Sequence, residues 1–431
     1  MFLSYLIKAL DLEFFCPTLS HRVYNDGPFE MGVNSSMDGN LFKELQKGIQ
    51  EEWLAQTLRE MILIRSENPF DDPPSPGSRE KEMANYLMDH MSRLGLRVEA
   101  KEVRPSRPNV FGHLPGSEGT FTLMLAGHMD TARTTGYPGA YDVKVEDGKM
   151  YGRGSCDMKA ALTAYLAVVK VFKEAKVRLK GNLIVCGNID EEYQMLGSKT
   201  IGRHGPKAHQ GIIGEPTNLQ ICPCSKGRVS AKIITRGQAA HSSVPEKGVN
   251  AIAHMAKVIQ GFEGYNEELL SRPPHPLCGH GRFIPGVIHG GVQVNMVPDY
   301  CELEVDRRTL PNETKEKVYQ EFHERIRRVV QENPGLVYEI TEPTWLIAPN
   351  DISPEEPVVQ ALRAAHLTIK GNDPGVQAFV AGSDAPYMGF PTVICGPGSI
   401  DQAHTTCEFV ELKEVVTAAK IYLHVILQLL G

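Results

Sequence analysis

The chain has 431 residues, enough for roughly two or three domains with cores of their own. Its hydrophobic content of 42% and charged content of 23% are those of an ordinary globular protein. A net charge of −7 with no basic block excludes nucleic acid and anionic membrane surfaces as expected partners. No stretch reaches the roughly 18 uninterrupted apolar residues of a membrane span. The nine cysteines are odd in number and scattered, so no disulfide framework is expected. Cys222 and Cys224 form a CxC, which is neither CxxC redox spacing nor half of a zinc knuckle. Reduced thiols in a cytoplasmic protein are the expectation.

In chain order, residues 1–15 are apolar but lack a basic start and a small-residue cleavage site, and they carry Asp11 and Glu13. Residues 1–38 are read as a poorly ordered extension, with Met31 and Met37 as alternative starts. Apolar residues at helical spacing, Leu41, Leu45, Ile49, Trp53, Met61 and Ile64, with Thr57 in the gap, predict one amphipathic helix over 41–64. A proline-rich turn over 69–77 ends it. Ser78 is the expected N-cap of a helix over 79–94, with Glu80 and Glu82 in its first turn and Gly95 as its stop. Strands follow over 97–103, 109–114 and 122–127, then a helix over 158–175 and strands over 182–189 and 211–214. Near-continuous apolar strands alternating with helices imply a buried α/β sheet. From 226 to 343 the rhythm changes to strand 228–235, helix 250–262, strands 286–290 and 300–306, helix 313–331 and strand 337–341. That β-α-β-β-α-β order is the split ferredoxin-like module, with its long charged helix expected to be a solvated face. Alternating α/β returns from 354, ending in a helix over 415–430. The expected domains are therefore 39–225 and 344–431 of one discontinuous domain, with 226–343 inserted.

Chemistry-bearing residues fall at predicted strand or loop ends. LMLAGHMD at 123–130 turns abruptly polar at His128, and Asp130 is placed to orient its ring. Asp157 precedes a helix start, Asp190, Glu191 and Glu192 follow an apolar strand, Glu215 follows another, and His404 lies in a carboxyl-terminal loop. In open α/β sheets ligands gather beyond the carboxyl ends of strands. A two-metal hydrolase needs two histidines, several carboxylates, one of them bridging, and a separate carboxylate base. His128, His404, Asp157, Glu192 and Glu215 supply such a set and leave Glu191 as base. Each motif alone fits a solvated polar loop equally well, and spacing does not pair them.

Together the segments HMDTA at 128–132, GRGSCDMKAA at 152–161, DEE at 190–192, GEPT at 214–217, AHSSVPEKGVNAI at 240–252, VNMVPDYCELEVDRRTLP at 294–311 and AHTTCEFV at 403–410 carry a resemblance. The chain from about 41 to 431 resembles the co-catalytic zinc amidohydrolases that include acetylornithine deacetylase, succinyl-diaminopimelate desuccinylase, aminoacylase and glutamate carboxypeptidase. The resemblance implies a discontinuous zinc-hydrolase domain with a mixed central sheet flanked by helices, plus an inserted ferredoxin-like lid and dimerisation domain. It implies two Zn²⁺ per subunit, with Co²⁺ or Mn²⁺ as alternatives. Asp157 would bridge them, followed by a cis peptide; His128 and Glu215 would complete one site, Glu192 and His404 the other. Glu191 would be general base and acid and Asp130 would orient His128. His241 would reach the neighbouring subunit's site in a homodimer. Asn295 and Arg308 would contact substrate, and Gly382 and Ser383 would line the pocket.

The expected activity is hydrolysis of the amide of an N-acyl amino acid by a zinc-bridged hydroxide. A dipeptidase or carboxypeptidase of the same fold is one alternative, and an inactive binding protein another. Cys407, Ala160 and Pro386 depart from residues common in the family and bear on the pocket. His90, His254, His323, His366 and His424 are assigned to structural positions on helices. Arg307 suits an ion pair as well as a ligand contact. His113, His275, His280 and His289 are assigned to loops and strand ends, the last three toward the pocket's border.

Overall fold

Leu123, Met124, Leu125 and Ala126 are all buried because both faces of their sheet are covered. Leu123, Leu125, Leu183 and Val185 pack beneath the helices Glu51–Leu63, Lys159–Glu174, Pro357–Lys370 and Leu412–Leu430. Met124, Ala126, Ile184 and Cys186 face the other way, onto Ile201 of the helix Leu196–His204 and onto Ala385 and Met388. The period-two alternation of a strand is thus preserved although no residue is polar. The structure is a computed structural model that describes residues 39–70, 79–341 and 346–431, all within the unit Met37–Gly431. The expected extension over 1–38, the Ser78 cap and most of the proline-rich turn lie outside the described residues.

The main sheet has six strands in the order Arg97–Arg104, Arg107–Leu114, Asn182–Asn188, Thr122–His128, Gln210–Pro216 and Thr392–Gly396. The last four run parallel to one another and the first two antiparallel, a mixed sheet as expected. Parallel strands bring their carboxyl ends to one edge, and this is what gathers the site.

A second sheet runs Arg282–Gly290, Tyr300–Thr309, Gly227–Arg236, Val337–Ile340, antiparallel throughout. With the helices Ala251–Gln260 and Lys315–Glu332 it has the ferredoxin-like order and a core of its own, including Ile233, Val258, Phe283 and Phe322. Lys315–Glu332 buries Val318, Phe322, Ile326 and Val329 and leaves its charged side solvated. Among the described residues no helix is long and apolar enough to cross a membrane.

The single helix expected over 41–64 is corrected. Gly39–Leu45 and a 3-10 turn Gln46–Gly48 are separated from Glu51–Leu63 by Ile49 and Gln50 in extended conformation. A Cβ at Gly48 would lie 3.1 Å from Val171, so the chain approaches the helix Lys159–Glu174 closely there and then turns. Glu51 and Glu52 open the second piece, where the helix dipole favours acids.

Gly95 ends the helix Glu80–Arg93 at φ +90°, and the Leu96 N–H returns to the Met91 carbonyl at 3.0 Å. Nothing lies within 4 Å of a Cβ placed there, so only the backbone opposes a side chain. Gly95→Ala is expected to lower unfolding free energy by about 1–2 kcal/mol, read by urea denaturation.

Candidate active site

Four parallel strands deliver the polar residues to one edge. His128 closes the strand Thr122–His128, and Glu191 and Glu192 follow Asn182–Asn188. Glu215 lies in Gln210–Pro216, and His404 is in the loop after Thr392–Gly396. Asp157 arrives from the loop before the helix Lys159–Glu174, and the Asp157–Met158 peptide is cis, as the resemblance implies.

Asp157 stands between the two histidines. Its Oδ1 is 2.9 Å from His128 Nε2 and its Oδ2 is 3.6 Å from His404 Nε2. Glu215 Oε1 lies 3.9 Å from His128 Nε2, and Glu192 Oε2 lies 2.9 Å from His404 Nε2. The five expected ligands are therefore together, with one Asp157 oxygen facing each histidine.

The electrostatics are those of a cluster built around positive charge. Burial pushes Glu191 well above the ordinary glutamate value, and Glu215 pushes it further. Burial likewise raises Glu215 and Glu192. Desolvation opposes the charge of Asp157, yet its bond to His128 holds it below the usual aspartate value. His128 is raised because Asp157 and Glu215 outweigh its burial, and the bond to Glu192 lifts His404 to about 9. Glu192 Oε1 and Glu215 Oε1 are buried without a hydrogen-bond partner. Donor atoms of His128, Asp157 and Glu192 lie within 4.8 Å of one another. Orphaned carboxylate oxygens beside imidazoles suit divalent cations with nitrogen and oxygen ligands, so the residues present fit the implied metal.

The role expected of Asp130 is divided. Its backbone carbonyl takes the His128 Nδ1 contact at 2.9 Å, while its carboxylate stands 3.7 Å from Nδ1. That carboxylate accepts the N–H groups of Glu191 and Glu192 at 3.3 and 3.1 Å and the Asn68 amide at 2.8 Å. One residue thus sets both the ring and the turn that presents the two glutamates.

Three supports went unread in the sequence. Glu408 is fully buried and accepts Arg153 Nη1 at 2.7 Å and the N–H groups of Gly154, Cys156 and Asp157 at 3.1, 2.9 and 3.0 Å. Arg107 bridges Glu80 and Asp190, reaching Asp190 Oδ1 at 2.8 Å. Asp190 is held in the left-handed region at φ +69° at the start of the Glu191–Glu192 turn. Asp384, raised to about 6 by burial, accepts Asn188 Nδ2 at 2.5 Å and adds to the upward shift at Glu191. Glu408 lies in the AHTTCEFV segment, but only folding shows what its side chain and that of Asp384 meet.

The other expected residues are placed less tightly. His241 is exposed on the small-sheet unit, its Nδ1 2.7 Å from Ser243 Oγ and its backbone paired with Met296. Asn295 is exposed beside it, its carbonyl accepting the Ser242 N–H at 3.0 Å. Arg308 Nε meets Asp306 Oδ1 at 2.9 Å. Among the described residues no hydrogen bond or ion pair joins His241, Asn295 or Arg308 to the His128–His404 cluster. Gly382 abuts Ile347, and Ser383 is buried next to Asp384. Arg307 is fully buried on Glu313 at 2.5 Å, the ion pair rather than the ligand contact.

Residues 124–428 match the family described as Peptidase family M20/M25/M40. The acetylornithine deacetylase of Vibrio cholerae is 31% identical over 349 residues, covering 78% of this chain and 88% of its own. The N-formyl-4-amino-5-aminomethyl-2-methylpyrimidine deformylase of Bacillus subtilis is 26% identical over 427 residues, covering 91% and 98%. Among solved structures, aminopeptidase PepT from Bacillus cereus has a TM-score of 0.73 at 24% identity, covering 89% of this chain and 99% of that one. Fold, family match and relatives agree on a metal-dependent hydrolase acting on amide or peptide bonds. The chain belongs to peptidase family M20/M25/M40.

Proposed function

We propose that the protein is a deacylase of N-acyl amino acids, using two divalent ions and Glu191 as general base. The observation that carries this is the Asp157 carboxylate set between His128 and His404, with Glu191 near His128 and Glu215 and raised by its surroundings. The 31% identity to an acetylornithine deacetylase supports the acyl substrate.

In this reading His128, Glu215 and Asp157 would hold one ion, and His404, Glu192 and Asp157 would hold the second. When bound, such ions, zinc first with cobalt and manganese as alternatives, polarise a carbonyl and acidify water. Glu191 takes the proton from the attacking water and returns it to the leaving nitrogen. Asp130 keeps the Glu191 N–H and the His128 ring in place while the proton moves. His241 stabilises the oxyanion in the neighbouring subunit's site. Arg308 exchanges Asp306 for the substrate carboxylate, a group its planar fork matches, and Asn295, Gly382 and Ser383 complete the pocket.

The proposed domains are 39–225 with 344–431, and 226–343 as a lid and dimerisation domain. Support for a homodimer is the edge strand Arg282–Gly290, which exposes Ile284, Val287 and Ile288 close in sequence to exposed Val292, Val294 and Met296. An unpaired apolar edge of this kind is a template for a second chain. Ile288→Lys is expected to shift the protein from dimer to monomer in sedimentation velocity, with loss of turnover. The described cysteines are all free thiols, which supports a cytoplasmic setting.

Assaying N-acyl amino acids beside dipeptides, with and without chelator, tests the function. Chelator-sensitive turnover of acylated amino acids is expected. Turnover confined to dipeptides would replace the deacylase with a peptidase, and none on any amide would leave a binding protein.

A further inference from the structure

Cys224 and the HPLCG turn at 275–279 belong to no part of the hydrolytic site, yet folding brings them together. Cys224 lies in the two-residue strand Cys224–Ser225, between Asn350–Asp351 and Ala378–Phe379 in a small three-stranded sheet. Asp351 is its direct antiparallel partner, so the two side chains share a face. Opposite stands a closed turn in which His275 and Gly279 exchange backbone hydrogen bonds of 2.8 and 2.9 Å. Gly279 sits at φ +65°, and the turn presents residues 275 and 278 on one side.

We propose that Cys224, Cys278 and His275 bind one divalent cation of the zinc class, at a site sharing no residue with the hydrolytic cluster. The two Sγ atoms are 3.4 Å apart, and a nitrogen of His275 lies within 4.8 Å of both. Those separations match donors around one ion with bonds of about 2.0–2.3 Å. Thiolate and imidazole together select zinc-like metals over magnesium or calcium. Both thiols are buried, in an apolar cluster with Leu310 flanked by Leu277 and Ala378, so bulk water does not compete for them.

Coordination displaces a present partner of His275, because Nδ1 accepts two backbone N–H groups and Nε2 carries the proton. Its Nδ1 accepts the N–H groups of Leu277 and Cys278 at 3.3 and 3.0 Å and is therefore the unprotonated nitrogen. The proton resides on Nε2, 3.5 Å from Asp351 Oδ2. A carboxylate behind the ring of a ligating histidine is the usual way its orientation and basicity are set. Binding is a proton exchange without oxidant: the dication enters, both Cys–SH groups become thiolates, and two protons leave. Water completes the fourth position. Cys224 precedes the strand Gly227–Arg236 and Asp351 follows the last strand of that sheet, so an ion here clamps the two chain passages between the sheets.

The test uses full-length, reduced protein loaded with cobalt. Thiolate-to-cobalt charge-transfer absorption in the near ultraviolet is expected, a signal that a cluster of nitrogen and oxygen donors does not produce. Cys224→Ser and Cys278→Ser should each cut it by half or more, and the double variant should abolish it. Cys407→Ser should leave it intact. Zinc K-edge absorption of the unaltered protein, which needs no variant, should show a sulfur shell at about 2.3 Å. Absence of that shell, or a band that survives the double variant, would overturn the proposal. So would a Cys224–Cys278 disulfide whose reduction yields a protein that takes up no thiolate-bound metal.

Discussion

Glu191→Gln is expected to lower kcat by at least about 10²-fold while its metal content stays at the wild-type level. The substitution keeps shape and removes only the ability to take and return a proton. Glu191 is not among the groups paired to His128 or His404, so the ligand set should survive it. Its neighbour differs: Glu192 faces His404 at 2.9 Å, and Glu192→Gln should lose metal as well as rate. Paired kinetics and metal analysis separate the two roles, and near-normal turnover of Glu191→Gln would remove the assigned base.

Glu408→Ala is expected to cost about 3–5 kcal/mol of stability, because it strands the buried Arg153 without its partner. Three backbone N–H groups in the loop that carries Asp157 lose their acceptor in the same step. Metal affinity should fall about 10–100-fold, the usual cost of losing a group that orients a ligand. Glu408→Gln keeps one acceptor oxygen and should recover part of both losses. Urea denaturation and a metal titration read them separately; unchanged metal affinity in the destabilised variant would show that the loop holds Asp157 without help.

Much of this was legible because local pattern and burial agree. The run LMLA reads as a fully buried strand, and helices and loops do cover both faces of it. The alternation of residues 228–235 places Val229, Ala231 and Ile233 inward, as a half-buried strand requires. Of the expected ligands, His128, Glu192 and Glu215 follow apolar runs, whereas Asp157 and His404 lie in loops.

What escaped is long-range or set by close approach. Glu408 stands 251 residues from the Asp157 N–H it accepts, and Arg107 stands 83 from Asp190. No periodicity carries such pairings. The helix Leu196–His204 begins after Met195 at φ +57° and contains Gly202, where a Cβ would meet the Tyr387 carbonyl at 2.1 Å. Tertiary packing places that glycine, against its poor helix propensity. Cys224 and Cys278, 54 residues apart, could not be paired from a CxC alone.

Anomalous scattering from crystals of the zinc-loaded protein tests the paired-cation account most directly. At the hydrolytic cluster it predicts two peaks, one on each side of the Asp157 carboxylate, the first toward His128 and Glu215 and the second toward His404 and Glu192. Density at the full-occupancy level elsewhere, with none against Asp157, would contradict it.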